Sequence, residues 1–130
     1  MTDQPATSPR VESNDAGLAE LVKSWLVESR MPLPPEAQLS LIVTDQVPKP
    51  DDPRPTFFQA GVEVRAGEPL EWVHLQWQLA PAMARIEAGG PIARICLTRE
   101  AFADPDLFVR TFLMLVVIFL GRRAGRFHLH

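Results

Sequence analysis

The sequence predicts an α+β fold: a small, mainly antiparallel sheet, an N-terminal amphipathic helix and a strongly apolar C-terminal helix. Three observations lead to this class. Apolar residues recur at helical spacing over 18–26, short segments with strand character follow one another over 39–97, and residues 107–120 are apolar almost throughout. Glycine and proline separate these segments, as is typical of turns between short elements.

Composition places the chain among ordinary globular proteins. Its 130 residues suffice for one domain with a core, and 46% of them are apolar. The net charge of −3 gives no reason to expect nucleic acid as a partner. The single cysteine, Cys96, excludes an internal disulfide, so we expect a cytoplasmic setting. Residues 1–15 carry no secretory signal pattern.

The first helix follows a polar, proline-containing segment, residues 1–15, which we interpret as a disordered tail. Residues 16–130 are then expected to form a single α+β domain. Asn14 or Asp15 can cap the helix, and Pro32 prevents it from continuing beyond residue 30.

Strand character appears in five segments of the central region. In the second, Val62 and Val64 alternate with Glu63 and Arg65, which predicts one buried and one solvated face. Gly89 and Gly90 favour a tight turn that joins the last two segments as a hairpin. The predicted strands are residues 39–43, 57–65, 72–79, 82–87 and 92–97, and residues 126–130 alternate in the same way.

The second helix has a clear N-terminal signal. Asp104 is a good N-cap and Pro105 suits the first helical position. Its apolar stretch, residues 107–120, is shorter than the roughly 20 residues needed to cross a bilayer, so we expect a buried helix rather than a membrane span. One small sheet has limited means of covering such a helix, so part of it is expected to meet another domain or subunit. The candidate interface residues are Phe108, Phe112, Leu115 and Phe119.

Chemistry-bearing residues are scattered, and no nucleotide-binding or nucleophile motif is found in the 130 residues. His128 and His130 would project from one face of a strand, which suits either a metal pair or two polar residues at a junction. Arg122, Arg123 and Arg126 suit either a bound anion or a helix C-terminus. We therefore predict no catalytic residue, no bound cofactor and no assembled metal site.

The C-terminal third resembles a known family. The order LTREAFADP (97–105), a leucine-rich helix and RRAGRFHLH (122–130) is similar to the approach to the nucleotide site in HPr kinase/phosphoenolpyruvate carboxykinase-like P-loop ATPases. In that family, a helix with a twin basic end leads into a strand of the pattern G-x-F-x-L-H, and the Walker A loop follows. The resemblance covers about 35 residues closely.

The resemblance implies a non-catalytic N-terminal region of such an ATPase, since the phosphate-binding glycines and lysine would lie beyond His130. Its role would be packing, or presentation of a partner or substrate, and its own partner would be the ATPase domain. The alternative is a stand-alone adaptor that buries helix 105–120 against a protein partner or a second copy of itself. A metal-dependent enzyme and a peripheral membrane protein are further alternatives.

Overall fold

The computed structural model describes residues 10–30, 33, 36–48, 57–59, 61–66, 72–87 and 91–123. Its strands are β1 (Arg10–Ser13), β2 (Gln38–Val43), β3 (Phe57–Gln59), β4 (Val62–Ala66), β5 (Val73–Trp77), β6 (Ala82–Ile86) and β7 (Ile92–Leu97). Helix α1 spans Ala16–Ser29. After a short 3₁₀ turn, Arg99–Phe102, helix α2 comprises Pro105–Leu107, a π-helical segment, Phe108–Leu113, and Met114–Arg123.

The seven described strands form one mixed sheet in the order β1-β2-β7-β6-β5-β4-β3. Strand β2 pairs in parallel with both β1 and β7, whereas β3 to β7 form an antiparallel series in which chain neighbours pair. Helix α1 makes the crossover between the parallel strands β1 and β2. The α+β class is confirmed, as is the mainly antiparallel character of the sheet.

Strand β1 corrects the predicted disordered tail for residues 10–15, while residues 1–9 lie outside the described part. The side-chain amide of Asn14 extends the pairing of β1 with β2: its Nδ2 donates to the carbonyl of Val43 at 3.0 Å, and its Oδ1 accepts from the Val43 N–H at 2.8 Å. A four-residue edge strand is too short to show a clear period in the sequence. Its pairing is also non-local, since Arg10 lies opposite Gln38, 28 positions further along the chain.

The predicted single strand over residues 57–65 is also wrong, because the chain turns between β3 and β4. Gly61 has a φ of 78°, a left-handed conformation that glycine adopts without steric cost. Gln59 then pairs with Val62 and Phe57 with Val64. The two strands form a hairpin at the sheet edge instead of one continuous strand.

The core lies on one face of the sheet. Strands β2 and β4 to β7 send every second side chain to this face, where it joins the buried residues of both helices in one apolar cluster. Helix α1 contributes Leu18, Val22 and Leu26. The buried sheet residues are Leu39, Leu41, Val62, Val64, Val73, Leu75, Trp77, Ala82, Ala84, Ile86, Ala93, Ile95 and Leu97.

Helix α2 begins as predicted: the Asp104 carboxylate accepts from the Leu107 N–H at 3.2 Å, and Pro105 follows it. Within the π-helical segment, the Met114 N–H donates to the carbonyl of Val109, five residues earlier. None of the helices in the described part is long and apolar enough to cross a membrane.

The first prediction concerns the C-terminus of α1, where Arg30 adopts a left-handed φ of 54°. Arg30→Gly should stabilise the fold by about 1 kcal/mol, because glycine removes the steric cost of this conformation. Gly61→Ala is the matched control. An added Cβ at Gly61 would meet no atom within 4 Å, so its expected loss of about 1–2 kcal/mol comes from the positive φ alone. If urea unfolding showed that both substitutions raise, or both lower, the free energy of unfolding, this account would be contradicted.

The second prediction concerns Asp15, whose carboxylate accepts from the Leu18 N–H at 2.9 Å and from Arg99 at 3.1 Å. These bonds, the Leu18 one foremost, hold the pKa of Asp15 below its ordinary value of 3.8. The ionised carboxylate should therefore stabilise the fold above pH 3.8, and this contribution should disappear as the pH falls below that value.

Thermal unfolding across pH measures this effect as the difference in melting temperature between the protein and Asp15→Asn. The difference should be constant near neutral pH and shrink in acid, since asparagine keeps an acceptor but cannot ionise. A difference that grows as the pH falls would contradict the assignment.

Candidate functional site: the outer face of the sheet

The predicted interface residues do not face outward. Phe108 and Phe112 are fully buried, and Leu115 and Phe119 are 5% and 7% exposed, all within the chain's own core. The assignment of these residues to an interface is therefore wrong. The reason is packing: the rings of Phe108 and Phe112 lie 6.0 and 5.7 Å from that of Trp77, which projects from the sheet.

The predicted arginine and histidine sites lie where the structure describes no side chains. Arg122 and Arg123 belong to α2, but their side chains are not described, and Arg126, His128 and His130 lie outside the described residues. Both the anion contact and the histidine pair therefore stay predictions. Within the described ranges, no group of three or more histidine, cysteine, aspartate or glutamate side chains could hold a metal ion.

The face of the sheet opposite the core carries the polar side chains. The described helices pack their buried apolar residues against the core side of the sheet. Much of the side without described helices is exposed or half-buried. We call it the outer face. Its more accessible residues on the central and β1-side strands are Glu12, Gln38, Ser40, Ile42, Gln76, Arg85, Glu87, Arg94 and Cys96.

Four basic side chains form one row across the outer face. Arg65 of β4 pairs with His74 of β5, His74 with Arg85 of β6, and Arg85 with Arg94 of β7. Neighbouring strands lie about 4.8 Å apart, so the row crosses four adjacent strands without a break. We call these residues the cationic row after its three arginines. Nothing in the linear sequence indicates it, because the register of three strand pairings is needed to align its members.

The two ends of the cationic row differ in exposure. Arg65 and His74 are only 5% and 2% exposed, which corrects the prediction that Arg65 is solvated. Arg65 forms an ion pair with Glu63 at 3.0 Å, which provides the countercharge that a buried guanidinium needs. His74 shares a hydrogen bond of 3.2 Å with the side-chain oxygen of Gln76.

The accessible end of the row consists of Arg85 and Arg94. The Arg85 Nε donates to Glu87 at 2.9 Å, and its guanidinium lies 4.3 Å from the centre of the Trp72 ring. These two contacts fix the position of Arg85. Arg94 is exposed and makes no hydrogen bond or ion pair within the described part of the chain.

Two apolar side chains flank Arg94 on the same face. Ile42 is 43% exposed, and it pairs with Cys96 on the neighbouring strand β7. Burial raises the pKa of the half-buried Cys96 thiol, so this group stays protonated at neutral pH and acts as a small apolar residue. Arginine beside partly exposed aliphatic side chains is typical of protein interfaces.

A cavity of about 740 Å³ lies where β5 and β6 are joined. Its lining residues are Gln46, Val47, Gln76, Trp77, Gln78, Leu79, Ala80 and Pro81. None of these described residues carries a titratable side chain, so this part of the lining offers hydrogen bonds and apolar contact but no group for acid–base chemistry. Gln76 belongs both to this cavity and to the outer face.

No family model, no curated protein and no solved structure matches the chain. On the outer face, the two accessible guanidinium groups of Arg85 and Arg94 lie opposite each other, and the partly exposed aliphatic side chain of Ile42 is close by. Such an arrangement can contact anionic groups.

The third prediction tests the correction for α2. Phe112→Ala should destabilise the fold by about 3–5 kcal/mol, because it removes a fully buried ring and leaves a cavity beside Trp77. Met114→Ala, at a half-buried position of the same helix, should cost markedly less. If urea unfolding gave the same free energy of unfolding for Phe112→Ala and the unmodified protein, Phe112 would not be a core residue and this correction would be wrong.

Proposed function

We propose that this chain is a non-catalytic N-terminal region of an HPr kinase-like ATPase that packs against, or presents, a protein partner. The observation that carries the binding role is the outer face, which combines an exposed Arg94 with the partly exposed Ile42 and receives no described helix. A solvated face of this composition suits a protein contact.

The ATPase part of the proposal rests on the resemblance of residues 97–105 and 122–130 to the approach to a P-loop. Arg122 and Arg123 are the last two residues of helix α2, and the resemblance implies a helix with a twin basic end. The chain's own residues would then supply a scaffold and a contact surface, while the ATPase domain would supply the phosphate-binding loop.

The alternative adaptor, which would bury α2 against a partner, is a second proposal with less support. Its proposed contact residues Phe108 and Phe112 already fill the core of the chain. Releasing them would expose the apolar cluster that joins both helices to the sheet.

The fourth prediction concerns nucleotide. The 130-residue chain should not retain ATP in the presence of magnesium, because it contains no loop of glycine amides with a neighbouring lysine. Equilibrium dialysis and thermal unfolding with and without Mg-ATP measure this. Saturating ligand at a hundred times its dissociation constant would stabilise the fold by about 2.7 kcal/mol, so real binding is easily detected. Such a shift would contradict the proposal.

The coding sequence after the codon for His130 tests the ATPase part separately. An open frame that encodes G-x-x-x-x-G-K-[ST] within about 20 codons would support it. A stop codon at that point would contradict it.

A further inference from the structure

Arg85 and Arg94 lie directly opposite each other on β6 and β7, with both side chains on the outer face. Like charges in this position repel each other and destabilise the strand pair. The next residue in the row on the β2 side is Ser40, which brings no countercharge to Arg94. Among the described residues, Arg85 has Glu87 as its countercharge and Arg94 has none, so an anionic group bound beside both guanidinium groups would supply the missing charge.

The two arginines differ in how they are held. Arg85 is fixed by Glu87 on one side and by the Trp72 ring on the other. Arg94 is exposed and makes no such contact with a described residue. Binding to this pair costs less entropy than binding to two unheld arginines, because only one long side chain has to be ordered.

We infer that Arg94, with Arg85 beside it, binds carboxylate side chains of an acidic segment of the protein partner. The inference rests on the proposed function in one respect, namely that the outer face contacts a protein. Charge complementarity selects an acidic partner, and the exposed Ile42 provides apolar contact beside the ion pairs.

Nucleic acid fits the same surface less well. The Trp72 ring is already covered by the Arg85 guanidinium at 4.3 Å, so this face of the ring is not free to stack on a base. Arg65 and His74, at the other end of the cationic row, are buried and do not extend the accessible charge. Of the four residues in the row, only Arg85 and Arg94 are therefore accessible to the phosphate groups of a nucleic acid.

The test uses a hexaglutamate peptide as the probe and the 130-residue chain labelled with ¹⁵N. The peptide should shift the backbone amide signals of Arg85 and Arg94 and the indole signal of Trp72, and its affinity should fall as salt is added. Arg94→Glu should weaken binding by about tenfold or more. Lys23→Glu is the matched control, since it makes the same change in charge at an exposed position of α1, and it should change the affinity by less than about twofold.

Thermal unfolding separates a binding role from a structural role. Arg94→Glu places opposite charges on β6 and β7, so its melting temperature should equal or exceed that of the unmodified protein while peptide binding is lost. A variant that loses binding and stability together would indicate a structural role for Arg94 and overturn the inference. Equal losses of affinity in Arg94→Glu and Lys23→Glu would show non-specific attraction and overturn it as well.

Two further outcomes would assign the surface to a different occupant. Tighter binding of oligothymidylate than of hexaglutamate would favour nucleic acid, and self-association of the protein that Arg94→Glu abolishes would favour a second copy. Each would overturn the acidic-partner inference. A stop codon after His130 together with Arg94-dependent peptide binding would remove the ATPase proposal alone. Failure of the peptide to bind would remove the carboxylate site alone.

Discussion

The packing of α2 against the sheet is the interaction on which the rest of the structure depends. Trp77 projects from β5 and meets Phe108 and Phe112, whose rings also lie 6.1 Å from each other. The π-helical segment, Phe108–Leu113, contains both phenylalanines. Because helix α2 is apolar almost all round, it packs against the sheet and occupies one of its two faces. Helix α1 shares that face through Leu18, Val22 and Leu26.

The division of the sheet into two faces determines what the chain can do. The inward face is filled by side chains of the same chain. The outer face carries polar side chains together with Ile42, Met83 and Cys96, and strand pairing aligns its basic members into a row. The alignment of these basic side chains is therefore a consequence of the register.

The sequence predicted those parts of the fold that local chemistry controls. The caps at Asp15 and Asp104 and the antiparallel pairing of β6 with β7 depend on residues close in the chain, and each is found where it was expected. Strand β1 was missed because its pairing is non-local, and the β3–β4 turn was missed because Gly61 looks like any glycine inside a strand pattern. The exposed interface expected on α2 was wrong because one sheet face proved sufficient to bury Phe108 and Phe112. Arg85 and Arg94 could not be recognised as a pair before the register was known.

Chemical modification of arginine side chains tests most directly whether the outer face is open at one end and covered at the other. Phenylglyoxal labelling followed by mass spectrometry gives a separate rate for each arginine in the folded chain. Arg94 should react as fast as Arg110, whose side chain is 66% exposed, and Arg65, whose side chain is 6% exposed, should react far more slowly. An Arg94 that is protected as strongly as Arg65 would mean that the surface is already occupied by the chain itself, and the account of a partner-binding face would be wrong.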